Sequence, residues 1–256
     1  MNFRFQDKAV FVTGAGIGIG YAICLAYAQQ GAVVGLNDID VVLAQKAANQ
    51  INEQVQANRV IPYPADVANT PALQSAIDDF SKKQKRLDIV IANAGVTVFE
   101  DFLEMTPDSF EKLTNVNLKG SYFTAQAATK NMIRFSTKAG KIILMSSVTG
   151  VGNFPDATVY GMTKAGIRHL TQTMALRLSE YGIAVNAVAP GAVITERTLQ
   201  EMDDYEGYWR NIIPTNTVNT VKDIVETVLF LTSDVARQIN GQTIVVDGAW
   251  TLRNVF

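Results

Sequence analysis

Three polar side chains, Ser147, Tyr160 and Lys164, stand close together in the stretch SSVTGVGNFPDATVYGMTK. Tyr160 and Lys164 are four residues apart, so a helix that begins near Ala157 would project both from one face. A free phenol has a pKa near 10, but a neighbouring ammonium favours phenolate, and a shift of two pKa units needs only about 3 kcal/mol. The pattern predicts that Tyr160 exchanges a proton with an alcohol substrate. A Y-x-x-x-K pair by itself also fits an exposed tyrosine on an amphipathic helix.

A glycine-rich stretch near the start of the chain, VTGAGIGIG, is a candidate phosphate-binding loop. The G-x-G-x-x-G fingerprint fails in both registers, because Ile19 and Tyr21 stand where the third glycine would be. Gly14, Gly18 and Gly20 remain, spaced as G-x-x-x-G-x-G. Glycines between a strand and a helix let the backbone approach a pyrophosphate, whose charge then meets the free N–H groups of the helix. The glycines alone also fit a merely flexible loop.

Asp38 favours the nucleotide interpretation of that loop. It ends the second predicted strand, in LNDID, eighteen residues after Gly20. A carboxylate at this point can accept both hydroxyls of an adenosine ribose and would repel a 2′-phosphate. No arginine or lysine stands in the glycine loop or just after Asp38. We therefore expect NAD(H) rather than NADP(H) as the cofactor.

Seven short β-branched stretches, separated by helix-length segments, must position these side chains. Most of the stretches are apolar without alternation, as strands covered by helices on both faces are. The predicted strands span residues 8–13, 32–37, 59–64, 87–92, 140–147, 182–189 and 242–247. Helix starts are predicted at Thr70, Thr106 and Thr220, each followed by a proline or an acid in the first turn. We predict an α/β fold, a single Rossmann-like doubly wound domain over residues 1–256 with a seven-stranded parallel sheet and helices on both faces.

Composition and charge argue against several classes of partner. The 256 residues carry a formal net charge of −2 without a block of like charges, so we expect no nucleic acid and no membrane partner. The first residues, MNFRFQDK, lack the apolar region of a signal peptide, and we expect a cytoplasmic protein. Cys24 is the one cysteine and His169 the one histidine, so no metal is expected. We interpret Cys24 as core packing and His169 as a surface or subunit-contact residue.

The chain resembles the short-chain dehydrogenases/reductases nearly from end to end. Besides the glycine loop (TGAGIGIG, 13–20) and Asp38, the resemblance is carried by DV (66–67), NAG (93–95), VNLKG (116–120), GKIILMSSV (140–148), YGMTK (160–164), NAVAPGAVIT (186–195) and VDG (246–248). Ala92 and Met162 depart from the family's usual residues, and both departures concern the shape of the pocket more than the reaction.

The resemblance implies catalytic roles for four residues. Ser147 would hydrogen-bond the substrate oxygen, and Tyr160 would be the acid and base. Lys164 would lower the pKa of that phenol and hold the nicotinamide ribose. Asn117 would kink its helix and anchor a water that relays protons to Lys164.

The resemblance also implies how NAD is held. Asp66 and Val67 would meet the adenine, and Val193 and Thr195 would meet the nicotinamide carboxamide. Family members that take NADP(H) often carry a basic residue where this chain has Ile17. The full set of expected cofactor contacts is Gly14, Gly16, Ile17, Gly18, Ile19, Gly20, Asp38, Asp66, Val67, Asn93, Ala94, Gly95, Tyr160, Lys164, Pro190, Gly191, Val193 and Thr195.

Three functions fit these residues. The favoured one is an NAD(H)-dependent oxidoreductase that transfers a hydride between nicotinamide and a secondary alcohol or ketone, such as a sugar, a polyol or another small hydroxy compound. The alternative is a 3-oxoacyl-ACP reductase, although Tyr181 stands where such reductases often carry a basic residue. A non-catalytic nucleotide sensor is the third, and it would be expected to lack Ser147, Tyr160 or Lys164.

The segment of about 192–215 is predicted to be the substrate lid. It combines five acids with four large apolar or aromatic residues, Tyr205, Tyr208, Trp209 and Ile212. The resemblance further implies a homo-oligomer, a tetramer or dimer. Its contacts would run through the helices that begin near Thr106 and Ala157 and through the C-terminal strand, where AWTLRNVF (249–256) fits an edge that needs cover.

Overall fold

In the computed structural model, which describes residues 4–253, seven strands lie where the β-branched stretches predict them, and two further short strands were not predicted. In chain order the strands are β1 Ala9–Val12, β2 Val33–Asp38, β3 Val60–Pro64, β4 Ile89–Ala92, β5 Lys141–Met145, β6 Ala184–Pro190, β7 Val193–Ile194, β8 Asn219–Thr220 and β9 Thr243–Val246. Seven of them pair in parallel in the order β3-β2-β1-β4-β5-β6-β9, and β7 pairs with β8 separately. The predicted seven-stranded parallel sheet is confirmed.

Helices cover both faces of the sheet. They are α1 Gly18–Gln29, α2 Val41–Val55, α3 Thr70–Gln84, α4 Pro107–Leu113, α5 Ser121–Arg134, α6 Thr158–Leu178, α7 Glu196–Glu201, α8 Tyr205–Arg210 and α9 Val221–Thr232. Apolar residues of α1, α2 and α9 form one core, and those of α3, α5 and α6 form another. In β1, Val10 and Val12 belong to the first core and Phe11 to the second, since successive strand residues point to opposite faces. The doubly wound arrangement is therefore confirmed.

Two of the three predicted helix starts are confirmed. Thr106 Oγ1 accepts a backbone N–H at 3.1 Å before α4, and the Asp223 carboxylate accepts the backbone N–H of Thr220 at 2.7 Å before α9. The third prediction, of Thr70 as the N-cap, is wrong by one residue, because Asn69 caps α3 and Thr70 is its first residue. The Asn69 side chain accepts the N–H three residues on at 3.2 Å, whereas Thr70 already lies inside the helix.

The sheet order changes direction between β1 and β4. From β1 the chain moves outward through β2 and β3, and from β4 it moves the other way through β5, β6 and β9. The loops that leave the carboxyl ends of two such strands diverge, and a crevice opens between them. Thr13 joins the two loops at their base, since its Oγ1 accepts the backbone N–H groups of Asn93 and Ala94, each at 3.1 Å. The crevice thus places the glycine loop opposite the NAG stretch.

Several smaller expectations can also be compared with the structure. Cys24 is buried and unbonded in the core beneath α1, which confirms it as core packing. His169 is exposed on α6, as expected of a surface residue. The described residues do not include 1–3 of the amino-terminal segment or 254–256 of the apolar C-terminal segment. No helix within 4–253 is both long and apolar enough to cross a membrane.

Candidate active site

Ser147 and Tyr160 meet beyond the carboxyl end of β5. Ser147 lies two residues past β5 and caps a short 3-10 turn, its Oγ accepting a backbone N–H at 3.2 Å. Tyr160 stands in the first turn of α6. The side chains of Ser147 and Thr97 lie near the Tyr160 hydroxyl and favour its ionised form. The structure therefore brings the predicted serine and tyrosine together and adds Thr97. Sequence reasoning missed Thr97, although it stands only two residues after the NAG stretch.

Lys164 is buried one helical turn beyond Tyr160. Its Nζ donates to the Met145 carbonyl oxygen at 2.8 Å and lies 5.5 Å from the centroid of the Tyr160 ring. Only 3% of Lys164 is exposed, and this burial lowers its pKa to about 8 because an ammonium loses its hydration there. The predicted pairing of the lysine with the tyrosine is thus present, with the ammonium beside the ring.

Burial raises the pKa of Tyr160, whereas the sequence predicted a lowered pKa. Loss of phenolate hydration raises this pKa above the usual value and is the largest effect, whereas the side chains of Ser147 and Thr97 and the charge of Arg197 act to lower it. In the protein alone Lys164 is not among the groups that lower this pKa, and its effect on the phenol with the cofactor bound stays a prediction. The Lys164 ammonium contacts the ring and donates to a backbone carbonyl, not to the phenol oxygen.

Asn117 lies in a π-helical segment, Thr114–Gly120, between α4 and α5. The distortion of its helix is therefore present. Its Oδ1 accepts from the Val96 N–H at 2.8 Å and its Nδ2 donates to the Val96 carbonyl at 2.9 Å. A Cβ on Gly95 would lie 3.3 Å from Asn117 Oδ1 and 3.4 Å from Lys164 Nζ. The small Gly95 lets Asn117 and Lys164 approach the same point.

The loop between β1 and α1 has the shape that a dinucleotide pyrophosphate needs. Gly14 and Gly18 have φ angles of 60° and 59°, in the left-handed region that favours glycine. A Cβ on Gly18 would meet nothing closer than Thr195, at 3.9 Å, so the loop faces open space there. Because α1 begins without a side-chain cap, its first N–H groups are free to bind an anion. The residues present therefore fit the cofactor.

Two of the predicted cofactor residues also hold the glycine loop. Asp38 Oδ2 accepts from the Gly16 N–H at 2.9 Å. Asn93 Nδ2 donates to the carbonyl oxygens of Thr13, at 3.0 Å, and Gly14, at 2.8 Å. An ionised carboxylate has lone pairs for further partners, so Asp38 can still accept ribose hydroxyls, whereas the Asn93 amide nitrogen is already occupied by the loop.

Several other predicted cofactor residues follow the carboxyl ends of β3 and β6, at the same end of the parallel sheet. Asp66 and Val67 follow β3, Pro190 ends β6, and Gly191 and Val193 come directly after it. Val67 is buried, and a Cβ on Gly120 would meet it at 2.9 Å. Thr195 caps α7 through a reciprocal pair of hydrogen bonds with Thr198. Ile17 is exposed and precedes α1, while Ile19 is partly buried against the core.

The segment 192–215 folds into α7 and α8 and packs on residues from other parts of the chain. The ring centroids of Trp209 and Trp250 are 4.6 Å apart, and those of Phe154 and Trp250 are 5.2 Å apart. Trp250 thus joins the segment to the loop before α6. Nothing in the spacing near the C-terminus indicated this contact, although Trp250 is one of only two tryptophans.

Known proteins similar to this chain are oxidoreductases. A family model described as enoyl-(acyl carrier protein) reductase matches residues 14–251. The L-rhamnose-1-dehydrogenase of Scheffersomyces stipitis is 34% identical over 252 residues, covering 97% of this chain and 97% of that protein. A 3-oxoacyl-[acyl-carrier-protein] reductase of Staphylococcus aureus is 35% identical over 245 residues, covering 95% of this chain and 98% of that protein.

A solved structure extends the similarity to three dimensions. The crystal structure of a gluconate 5-dehydrogenase from Burkholderia cenocepacia, in complex with NADP and tartrate, superposes with a TM-score of 0.90 and 30% sequence identity. The match covers 99% of this chain and 98% of that one.

Proposed function

This chain belongs to the short-chain dehydrogenases/reductases, and from that premise we propose that it is an NAD(H)-dependent dehydrogenase of a sugar, a polyol or another small hydroxy compound. The reaction class, oxidation and reduction at a CH–OH group, is that of its relatives. The observation that carries the proposal is the grouping of Ser147, Tyr160 and Lys164 next to an uncapped, glycine-lined helix start.

The proposed mechanism assigns one task to each polar side chain. Ser147 donates a hydrogen bond to the substrate oxygen and fixes it beside Tyr160. The Tyr160 phenolate then accepts the hydroxyl proton as general base, and returns it in the reverse direction. Lys164 supplies positive charge beside the ring and binds the nicotinamide ribose. Bound NAD+ supplies the hydride acceptor.

The proposed role of Asn117 is to hold the Val96 backbone next to Lys164 and to anchor the water through which protons reach that lysine. Both atoms of its amide are already bonded to Val96, so the anchor would be a backbone group of the π-helical segment. This segment leaves backbone carbonyls out of the regular helical ladder, which suits them to bind a water.

NAD rather than NADP is the proposed cofactor. The Asp38 carboxylate accepts a hydrogen bond from the Gly16 N–H of the glycine loop. Its negative charge would repel a 2′-phosphate bound beside this loop. Ile17, which is half exposed at the start of α1, offers no positive charge to such a phosphate. The similar Burkholderia enzyme has NADP bound in its crystal structure, so the choice of dinucleotide is tested directly below.

A second candidate is the reduction of a 3-oxoacyl chain on acyl carrier protein. It is favoured by the Staphylococcus relative of that name, which is as similar to this chain as the rhamnose enzyme is. Against it stand the five acids of the lid segment, since an acidic carrier protein would prefer a basic entrance.

The proposal extends to the organisation of the molecule. We assign residues 1–256 to one domain in which about 192–215 is the substrate lid, and we expect a cytoplasmic homo-oligomer, a tetramer or dimer. The cofactor set named from the sequence is proposed to line the crevice between the β1 and β4 loops. Neither nucleic acid nor a membrane is proposed as a partner.

The experiment that tests the proposal is an absorbance assay of NADH formation. Purified protein is given NAD+ and a panel of sugars, polyols, hydroxy acids and secondary alcohols, and in parallel a 3-oxoacyl thioester with NADH or NADPH. The proposal predicts NADH formation with at least one small hydroxy compound. Turnover of the thioester alone would favour the second candidate, and turnover of neither would contradict both.

A further inference from the structure

The Arg197 side chain crosses from the lid segment to the catalytic loops. It lies on α7, and its Nη2 is 3.5 Å from Oγ1 of Thr97, a residue one hundred positions earlier in the chain. Its Nε is 3.4 Å from Glu201 Oε1, one turn further along α7. Both contacts are long, and 49% of the side chain is exposed. The guanidinium is thus directed at the pocket but only loosely held.

The position of Arg197 relative to Tyr160 is set by Thr97. The Thr97 hydroxyl faces the Arg197 guanidinium at 3.5 Å and acts on the Tyr160 hydroxyl, whose ionised form it favours. The positive charge of Arg197 acts electrostatically on Tyr160 and favours the phenolate. A substrate whose carbinol oxygen rests on Ser147 and Tyr160 would therefore have a guanidinium within reach of its neighbouring carbons.

The surface ion pair with Glu201 does not explain why the Arg197 guanidinium is directed at the pocket. Exposed ion pairs of this kind contribute little to stability, and the Glu201 side chain is 58% exposed. A guanidinium offers five N–H donors in a planar fork that matches a carboxylate. Among the residues from 4 to 253, Nη1 of Arg197 has no hydrogen-bond partner. The fork is therefore available to a ligand in the pocket.

Two acids of the lid segment are bonded to groups other than Arg197. Glu206 is paired with Arg210 one turn away on α8. Asp204 caps α8, its carboxylate accepting the Gly207 N–H at 3.0 Å. Two of the five acids are thus committed to local partners outside the pocket, and Arg197 is the charged group of the segment that acts on Tyr160.

We propose that Arg197 binds the carboxylate of the substrate, so that the substrate class is a hydroxy acid or polyhydroxy acid rather than a neutral sugar or polyol. This inference rests on the proposed dehydrogenase function and deepens it. The carboxylate replaces Glu201 as the partner of the guanidinium. The carbinol proton passes to Tyr160, the carbinol C–H hydride passes to bound NAD+, and the hydroxy acid becomes a keto acid.

The test compares acids with polyols of the same carbon skeleton, namely glycerate with glycerol, tartrate with threitol, and gluconate with glucitol. The ratio of kcat/KM for acid to that for polyol is measured in the wild type, in Arg197→Met and in Arg197→Lys. We expect the wild type to prefer the acid of at least one pair by about tenfold or more, the effect of one charge-assisted hydrogen bond. Arg197→Met should lose that preference and Arg197→Lys should keep part of it.

Arg210→Met is the matched control, since it removes an arginine from the same segment that is paired away from the pocket. Its acid-to-polyol ratio should equal that of the wild type. A wild type that prefers the polyol in every pair, or an unchanged ratio in Arg197→Met, would overturn the inference while the proposed dehydrogenase function stands.

A binding measurement separates the two proposals when turnover is absent. Tartrate is titrated into the enzyme–NADH complex and followed by NADH fluorescence and calorimetry, with the wild type and Arg197→Met compared. We expect tartrate to bind the wild type about tenfold more tightly or better, the effect again of a charge-assisted hydrogen bond. Equal affinity of the two proteins, or no binding to either, would refute the role of Arg197 whatever the result for turnover.

Discussion

At the scale of single residues, Tyr160 experiences two opposing effects. Burial opposes the phenolate, while Ser147, Thr97 and Arg197 support it. The net pKa in the protein alone is raised, so the tyrosine is protonated at neutral pH. Alcohol oxidation by this site therefore depends on the groups that favour the ionised form. The Y-x-x-x-K spacing predicted the pair, but not this balance, because Thr97 and Arg197 reach the hydroxyl only through the fold.

Thr97→Val should shift the pH dependence of alcohol oxidation to higher pH. The Thr97 hydroxyl favours the phenolate and so lowers the pKa of Tyr160, and its removal should raise that pKa. Oxidation requires the phenolate, so the rate increases with pH through this ionisation, and a higher pKa moves the midpoint upward and slows oxidation at neutral pH. The measurement is kcat against pH. Thr173→Val, which changes an exposed hydroxyl bonded within α6, is the control and should leave the midpoint in place.

Asp38→Ala should weaken NAD+ binding and relax discrimination against NADP+. Each charge-assisted hydrogen bond lost to a ribose hydroxyl costs about 1.5–3 kcal/mol, and the lost bond to the Gly16 N–H loosens the loop as well. Titration of both dinucleotides by calorimetry measures the change. Asp40→Ala removes the neighbouring acid that caps α2 and should keep the preference of the wild type. A wild type that binds NADP+ more tightly than NAD+ would contradict the role given to Asp38.

At the scale of elements, the strands were predictable and some helix details were not. The run IILM (142–145) is apolar throughout because both faces of β5 are buried, and this property belongs to the sequence itself. The π-helical turn around Asn117 has no signal in the local residue pattern, and only the family resemblance indicated a distortion there. The bond between Thr97 and Arg197 depends on two loops meeting at one edge of the sheet. Contacts of this kind follow from topology, which local spacing does not encode.

Asn69→Ala should destabilise the protein, whereas Thr70→Ala should change its stability little. The Asn69 side chain caps α3, and removal of such a cap costs about 0.5–2 kcal/mol. The Thr70 hydroxyl is buried without a hydrogen-bond partner among residues 4–253, so its loss breaks no bond. Urea denaturation of both variants provides the free energies of unfolding. If Thr70→Ala lowers the free energy of unfolding more than Asn69→Ala does, Thr70 would be the cap, as the sequence predicted.

At the scale of the whole molecule, apolar side chains remain exposed on helices that the family resemblance assigns to subunit contacts. Phe110 lies exposed on α4, and Leu176 on α6 is 83% exposed. The exposure of large apolar groups on these two helices supports the proposed homo-oligomer, since burying them would remove apolar area from water.

Leu176→Glu should therefore reduce the mass of the particle in solution. A carboxylate placed in an apolar interface loses hydration without gaining a partner, and the assembly should dissociate toward smaller species. Size-exclusion chromatography with light scattering measures the mass of variant and wild type. Val42→Glu, on the exposed side of α2, is the control and should leave the mass unchanged. A monomeric wild type would rule out the proposed assembly.

The most direct test of the account is Tyr160→Phe compared with the wild type, in turnover of the best substrate from the panel and in NADH binding by fluorescence. The variant keeps the ring and its packing beside Lys164 but loses the proton donor and acceptor. We expect NADH binding to persist and kcat to fall by at least about 10²–10⁴, the usual contribution of general acid–base catalysis. A variant that binds NADH normally and still turns over at nearly the wild-type rate would remove Tyr160 from the mechanism and contradict the proposed dehydrogenase.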